Sequence, residues 1–158
     1  TPINSNPDWK WLDDAYVNFS KTAINEVGDY VDLENYIDYE GGYEPWLFDR
    51  AMTLFGIYTR TGDVKWLRHA HRAAQFYSKH LTASGYFDLK SYEDLKYSYG
   101  QSLFSELIFM GDTSMLPLIE SIATAGYKWN ETYIYAEGST RLWTERHQAY
   151  ALLAALSA

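Results

Sequence analysis

The segment Trp143-Thr144-Glu145-Arg146-His147 concentrates residue types that can do chemistry. On a helix, Trp143 and His147 are four residues apart and share one face. His147 can then act as a base beside an aromatic platform for a sugar ring, because imidazole accepts a proton near neutral pH. The simpler alternative, which we favour, packs His147 in an apolar interior and pairs Glu145 with Arg141 across one helical turn.

A second pair of charged residues, Asp49 and Arg50, stands where a helix is predicted to begin. A carboxylate beside a guanidinium can serve acid–base chemistry and stabilise a developing charge. The alternative, again favoured, is structural: Asp49 lies at the positive end of the helix dipole, and Arg50 forms a salt bridge.

Metal and cofactor motifs are absent from the sequence. His69 and His71 are two residues apart and point to different sides of a helix, and His80 is separate from both. The acidic connector 28–45 lacks the spacing of a calcium loop. A phosphate-binding loop, a nucleophile elbow and an HExxH motif are also missing. The sequence therefore predicts no metal site and no cofactor.

The composition excludes several classes of partner. The formal net charge is −8, which disfavours duplex nucleic acid and anionic membranes as partners. Cysteine is absent, and no apolar run approaches the roughly 20 residues of a membrane span. Aromatic residues make up 18% of the chain, and Tyr and Trp suit platforms for sugars because they join a flat apolar face to a polar edge.

The elements that must position these residues are helical hairpins. In the stretch Trp46 to Leu81, apolar residues recur at helical spacing on both sides of a central turn. Gly62 can adopt the left-handed conformation that ends the first helix, and Asp63 can accept hydrogen bonds from the N–H groups that open the second.

The same turn recurs 49 positions later as Gly111-Asp112, and this offset also relates Leu54 to Leu103 and Leu152. Further helices are predicted over residues 8–27, 97–110 (with Leu103, Leu107 and Met110 on one side), 114–126 (with Ser114 as its cap) and 142 to the end. Long connectors are predicted at 28–45, 82–96 and 127–140. The predicted fold is a single all-α domain of antiparallel hairpins with a 49-residue period, arranged as part of an array. Long loops on such a scaffold are where sites are usually found.

The last helix contains Ala149–Leu156, which is apolar nearly all round and is therefore expected to be buried on all sides. By the repeat, this helix corresponds to the first helix of a third hairpin. Three explanations for its cover stay open. The chain is a piece of a longer protein, or a partner chain or second copy covers the helix, or the N-terminal helix packs there.

The phrases WLFDRAMTLFGIYTRTGD, WLRHAHRAAQFY and WTERHQAYALLAAL resemble those of six-hairpin (α/α) toroid proteins that act on carbohydrates. Glycoside hydrolases, polysaccharide lyases and sugar epimerases share that architecture. The resemblance covers about residues 43–158 and concerns helix packing and turn chemistry. It implies a toroid, whole or in part, whose inner helices begin at the face that carries the long loops and the active site.

The resemblance implies site residues at the starts of the inner helices and on the long loops. The catalytic candidates are Asp49, Arg50, Asp94, Tyr97, Glu145, Arg146 and His147, with Asp88 and Lys96 in the same regions. The aromatic candidates for substrate binding are Tyr43, Trp46, Tyr86, Tyr99, Trp129, Tyr135 and Trp143. Glycoside hydrolysis needs two carboxyl groups, whereas lyase chemistry needs a Tyr or His base and a cation.

The expected function is that of a carbohydrate-active enzyme, either a glycoside hydrolase or a polysaccharide lyase, or of a fragment of one. Its substrate would be a polysaccharide bound in an aromatic, acidic cleft, and a secreted or periplasmic location is favoured. The alternative is a non-catalytic helical-hairpin module that binds a ligand or assembles with other copies.

Overall fold

The computed structural model describes residues 49–89, 93–128 and 144–158, together with Trp11 and Asp14. For residues 144–148 it describes the backbone only. The described helices are α1 (Arg50–Thr61), α2 (Val64–Lys79), α3 (Gly100–Met110), α4 (Leu116–Lys128) and α5 (Thr144–Ser157). Short 3-10 helices span Leu95–Tyr97 and Thr113–Met115. These ranges contain no strand beyond one isolated β-bridge, which confirms the all-α class.

The chain forms two compact units, Thr1–Phe76 and Tyr77–Ala158. The first contains α1 and most of α2, and the second contains α3, α4 and α5. In the predicted helix 8–27, Trp11 and Asp14 are helical and exposed, and the rest lies outside the described residues. Within the parts of the chain that are described, no helix is long and apolar enough to cross a membrane.

The turn of the first hairpin follows the prediction. Asp49 caps α1, since its Oδ1 accepts the Met52 N–H at 3.0 Å. Gly62 ends α1 with a φ of 70°, and its N–H donates to the Tyr58 carbonyl at 2.7 Å. Asp63 Oδ1 then accepts the Lys65 N–H at 2.9 Å and opens α2. Both turn residues therefore have the roles that their types predict.

The core of the first unit pairs large residues on α1 with small residues on α2. Leu54 and Phe55 are buried in one cluster with Ala70, Ala73 and Ala74. Alanines on one helix leave room for the longer side chains of the other, so the two helices can approach closely without voids.

The turn of the second hairpin has the same geometry. Gly111 has a φ of 69°, and its N–H donates to the Leu107 carbonyl at 3.0 Å. Asp112 Oδ1 accepts the Ser114 N–H at 3.0 Å. The predicted start of the next helix at residue 114 with Ser114 as its cap is wrong. Asp112 is the cap and tightens 113–115 into a 3-10 turn, so α4 begins at Leu116.

The second unit is held together by small residues at its helix crossings. Helix α5 packs against α4 and α3. A Cβ on Gly126 of α4 would lie 3.0 Å from the Ala151 Cβ, and one on Gly100 of α3 would lie 3.3 Å from the Ala154 Cα. Ala154 is fully buried, so at these two crossings α5 meets α3 and α4 through alanines and glycines.

The expected all-round burial of Ala149–Leu156 is wrong. Leu152 is 62% exposed and Leu156 75% exposed, because only the flank with Ala151 and Ala154 faces α3 and α4. Helix α3 departs from its predicted apolar side as well. Leu103 is buried and Leu107 is half-buried, but Met110 at the end of the helix is exposed.

Candidate functional site

The loop after α2 turns back on itself within a few residues. Leu81 and Phe87 form an antiparallel bridge, and the Thr82 N–H donates to the Tyr86 carbonyl at 2.8 Å. Gly85 allows the reversal because its φ of 85° lies in the left-handed region. The Asp88 N–H closes the loop by donating to the His80 carbonyl at 2.8 Å.

This loop brings a histidine and a carboxylate together. His80 Nδ1 lies 2.9 Å from Asp88 Oδ1, with side-chain exposures of 26% and 49%. A carboxylate at Nδ1 favours the tautomer that carries its proton there, which leaves Nε2 as the acceptor. The Phe87 ring stands edge-on to the imidazole, with 6.2 Å between the ring centroids. His80 is therefore a partly exposed base with a fixed orientation.

The loop is pressed against α4. A Cβ at Gly85 would lie 2.6 Å from the Ser121 carbonyl carbon, so only glycine fits. Ser98, which is buried, donates its hydroxyl to the Gly85 carbonyl at 2.9 Å. These contacts hold the tip of the loop, while the Leu81–Phe87 bridge closes its base, so the loop carries His80 and Asp88 on a supported backbone.

Tyr77 connects the loop to the start of α3. Its hydroxyl donates to the Tyr97 carbonyl at 2.7 Å and accepts the Tyr99 N–H at 2.6 Å. Its ring stacks on Phe87, with centroids 5.2 Å apart. One buried phenol therefore satisfies the carbonyl at the end of the 3-10 helix and the N–H of the residue that precedes α3.

Asp94 and Lys96 form a local pair at the 3-10 helix. Asp94 Oδ1 accepts the Lys96 N–H at 3.0 Å, and Oδ2 lies 3.0 Å from Lys96 Nζ. Lys96 Nζ is also 4.9 Å from the centroid of the Tyr97 ring. Both oxygens of Asp94 contact the same residue, so in this structure the carboxylate caps and orders the segment.

The other predicted residues of the second unit lie on adjoining elements. Tyr97 and Tyr99 are buried, while Tyr86 is half-buried. The Tyr99 ring meets Tyr150 of α5 edge-on at 5.2 Å, and α5 also contacts the 3-10 helix Leu95–Tyr97. The backbone of Glu145, Arg146 and His147 lies in the first turn of α5, while their side chains lie outside the described part. The structure therefore brings the segment that leads into α3 against the middle and end of α5, at Tyr150, Ala154 and Ser157.

The first unit holds Asp49 and Arg50. Asp49 is the cap of α1, and Arg50 is 7% exposed, so its guanidinium lies within the unit rather than at its surface. The predicted aromatic residues Tyr43, Trp46, Trp129, Tyr135 and Trp143 lie outside the described residues. Across the described ranges, no three His, Asp or Glu residues are grouped as a metal ion would require.

Three residues with distinctive chemistry were not predicted as site residues. They are His80, Tyr77 and Glu106, of which Glu106 is fully buried in α3. For His80 the sequence does contain a signal: Asp88 follows eight residues later, and the intervening Thr82–Gly85 can form a glycine turn that brings the two side chains together. Neither Tyr77, on an apolar stripe of α2, nor Glu106, between Ser105 and Leu107, carries such a signal.

Comparison with known proteins gives no relative for this chain: no family model, no curated protein and no solved structure matches it.

Proposed function

We propose that this protein is a carbohydrate-active enzyme of the helical-hairpin class, acting on a polysaccharide. Its site lies in the second unit, on the loop that carries His80 and Asp88. The observation that carries the proposal is the His80–Asp88 pair, 2.9 Å apart on a supported loop beside the half-buried Tyr86. Orientation of an imidazole by a carboxylate is a recurring arrangement for a general base.

The described residues favour a lyase over a hydrolase. A polysaccharide lyase needs a base that removes the proton next to a uronate carboxyl group, and His80 can fill that role through Nε2. Glycoside hydrolysis instead needs two carboxyl groups facing one glycosidic bond. Asp88 contacts His80 and Asp94 contacts Lys96, so both carboxylates are engaged by a basic neighbour.

The two hairpins support the array on which this proposal rests. Gly62 and Gly111 have φ values of 70° and 69°, and the hydrogen bonds around both turns join equivalent atoms at the same 49-residue offset. A repeated hairpin with short turns at one end and long connectors at the other is the unit of an (α/α) toroid. In the proposed array, the His80–Asp88 loop belongs to the long-connector end.

The test is product formation from a panel of uronate-containing and neutral polysaccharides. A lyase forms an unsaturated uronate, seen as a rise in ultraviolet absorbance from the new conjugated double bond, whereas a hydrolase forms reducing ends only. The variant His80→Asn should lower kcat by about 100-fold or more if it removes the base. The variant Asp88→Asn should lower it by about tenfold through loss of orientation.

The matched control is His71→Asn, because His71 is another partly exposed histidine and lies on α2, in the first unit, rather than on the loop. It should leave kcat within about twofold, as expected for a surface substitution away from the reacting groups. Absence of product from every polysaccharide would reject the enzymatic proposal. Equal activity of the His80→Asn variant would reject His80 as the base while leaving the substrate class in place.

A second candidate function is a non-catalytic binding module. It is favoured by the second half of α3, where four large apolar residues are exposed: Phe104, Ile108, Phe109 and Met110. Exposed apolar patches of this kind mark interaction surfaces. Retention of a polysaccharide on an affinity gel without any product, reduced by Ile108→Asp and not by His80→Asn, would favour this candidate.

A further inference from the structure

Helix α2 and the loop after it form a basic stretch in an acidic chain. Between Asp63 and Asp88 the sequence contains no Asp or Glu, while four of the 13 Lys and Arg residues lie there. The remainder of the chain therefore has nine basic residues against 21 acidic ones. A concentration of positive charge on a chain with a net charge of −8 attracts anions to that region and not to the rest.

Three of these basic residues share one side of α2 within the first unit: Lys65, Arg68 and Arg72. With 3.6 residues per turn, they fall within about 60° of one another and span about 10 Å of the helix axis. All three are exposed. Ala70 and Ala74 lie on the opposite side of the helix, in the core cluster with α1. We call the set of three exposed residues the basic face.

An indole ring lies beside the basic face. Lys65 Nζ is 5.2 Å from the centroid of the Trp66 ring. Trp66 packs against the core cluster of the first unit and is half-buried, so the ring is held in place while part of the residue stays accessible. An anchored indole next to cations offers apolar contact to a sugar ring and positive charge to a carboxylate on that ring.

We propose that the basic face binds the uronate carboxylates of an acidic polysaccharide. Arginine suits this role because its planar guanidinium can donate two parallel hydrogen bonds to one carboxylate. Carboxylates that recur along a polymer match cations that recur along a helix. The choice of a uronate polymer rests on the proposed function, but the binding itself requires no catalytic step.

Duplex nucleic acid suits the basic face less well. It carries about one charge per 1.7 Å of helix axis, so three cations over about 10 Å match only part of its phosphates. The acidic remainder of the chain repels the other phosphates. A uronate polymer carries one charge per sugar ring, which is a lower density, and its rings can also contact Trp66.

The experiment measures binding of the full chain to polygalacturonate and to neutral dextran by calorimetry. The His80→Asn background is used so that the polymer is not cleaved during the titration. Polygalacturonate should bind and dextran should not. Adding Arg68→Gln should raise the Kd for polygalacturonate by about tenfold, because it removes charge-assisted hydrogen bonds. The matched control is Lys128→Gln, which removes the same charge from an exposed residue of α4 and should change the Kd by less than about twofold.

Several results would overturn the proposal. They are the absence of binding to polygalacturonate, an unchanged Kd in Arg68→Gln, and an equal rise in Lys128→Gln, which would indicate a response to net charge alone. Tighter binding of duplex DNA or polyglutamate would assign the face to another class of polyanion. Binding through Arg68 without product from the unaltered chain would reject only the lyase. Product formation with an unchanged Kd in Arg68→Gln would reject only the basic face.

Discussion

The two hairpins have the same type of turn, but α1 and α3 differ in which residues they bury. Helix α1 buries Leu54, Phe55 and Ile57, which form an apolar core with the alanines of α2. Helix α3 buries Leu103 at the position of Leu54, but the position of Phe55 is Phe104, which is 42% exposed against 1%. The position of Ile57 is occupied in α3 by the fully buried Glu106.

This comparison distinguishes structural features that neighbouring residues determine from features that depend on packing partners. A Gly-Asp turn is specified by the left-handed preference of glycine and the capping geometry of aspartate, both local properties. The face that a helix buries depends on what packs against it. In the second unit, α5 approaches closely at Gly100 and Gly126, where only small residues fit, and Phe104 of α3 is left exposed.

The largest expected effect on stability concerns three leucines, one each on α1, α3 and α5, that are spaced 49 residues apart. Leu54→Ala and Leu103→Ala should each lower the free energy of unfolding by about 2–5 kcal/mol, because each removes a fully buried side chain and leaves a cavity. Leu152→Ala is the matched control, and its exposed side chain limits the loss to about 0.5 kcal/mol. Urea unfolding of the three variants measures the difference. If Leu103→Ala and Leu152→Ala lowered the free energy of unfolding equally, the difference in burial between the two leucines would be contradicted.

The second effect concerns two glycines that share a left-handed conformation. Gly85→Ala should lower the free energy of unfolding by about 2–4 kcal/mol, because it adds backbone strain and an overlap with Ser121. At Gly62, with a φ of 70°, a Cβ would meet nothing within 4 Å. The variant Gly62→Ala should therefore lose only the strain, about 1–2 kcal/mol. Thermal unfolding measures the stability of both variants. An equal loss of stability in the two would mean that the overlap with Ser121 of α4 adds nothing to the strain at Gly85.

A third expectation tests the connection between α2 and α3. Tyr77→Phe keeps the ring that stacks on Phe87 but removes the hydroxyl between the Tyr97 carbonyl and the Tyr99 N–H. The loss should be about 1–3 kcal/mol, the cost of leaving buried polar groups without their hydrogen bonds. Tyr127→Phe is the control, since Tyr127 is almost fully exposed and should change stability by less than about 0.5 kcal/mol. Faster hydrogen exchange of the Tyr99 amide in Tyr77→Phe, but not in Tyr127→Phe, would assign the stability loss to the missing hydrogen bond.

The sequence was sufficient for features that depend on neighbouring residues. The helix ends at Gly62 and Gly111 and the cap at Asp63 follow from residue type and order, and the structure confirms them. The predicted start of α3 at residue 97 was early by three positions. Asp94 caps a separate 3-10 turn there, and Tyr77 then holds the chain extended through Tyr99.

Features that depend on distant residues could not be predicted. The periodicity of Ala149–Leu156 indicates an apolar helix but does not say that only one flank has neighbours. Tyr97 and Tyr99 have the same residue type as an exposed sugar platform, and it is the hydroxyl of Tyr77 and the ring of Tyr150 that place their backbone and rings inside the unit. The His80–Asp88 pair required knowledge that the intervening residues reverse the chain.

The smallest expected effect tests whether the two turns are energetically equivalent. Asp63→Ala and Asp112→Ala should each cost about 1 kcal/mol, because each removes a side-chain acceptor for an N–H at the start of a helix. Asp63→Asn and Asp112→Asn are the controls, since asparagine retains the acceptor and should cost less. Asp112 also accepts the Ser114 hydroxyl at 2.6 Å, so its loss should be the larger by a few tenths of a kcal/mol. Chemical unfolding of all four variants measures these losses. Because the capping contact is local, a loss at Asp112 several times that at Asp63 would mean that the 3-10 turn of the second hairpin carries tertiary contacts that the first turn lacks.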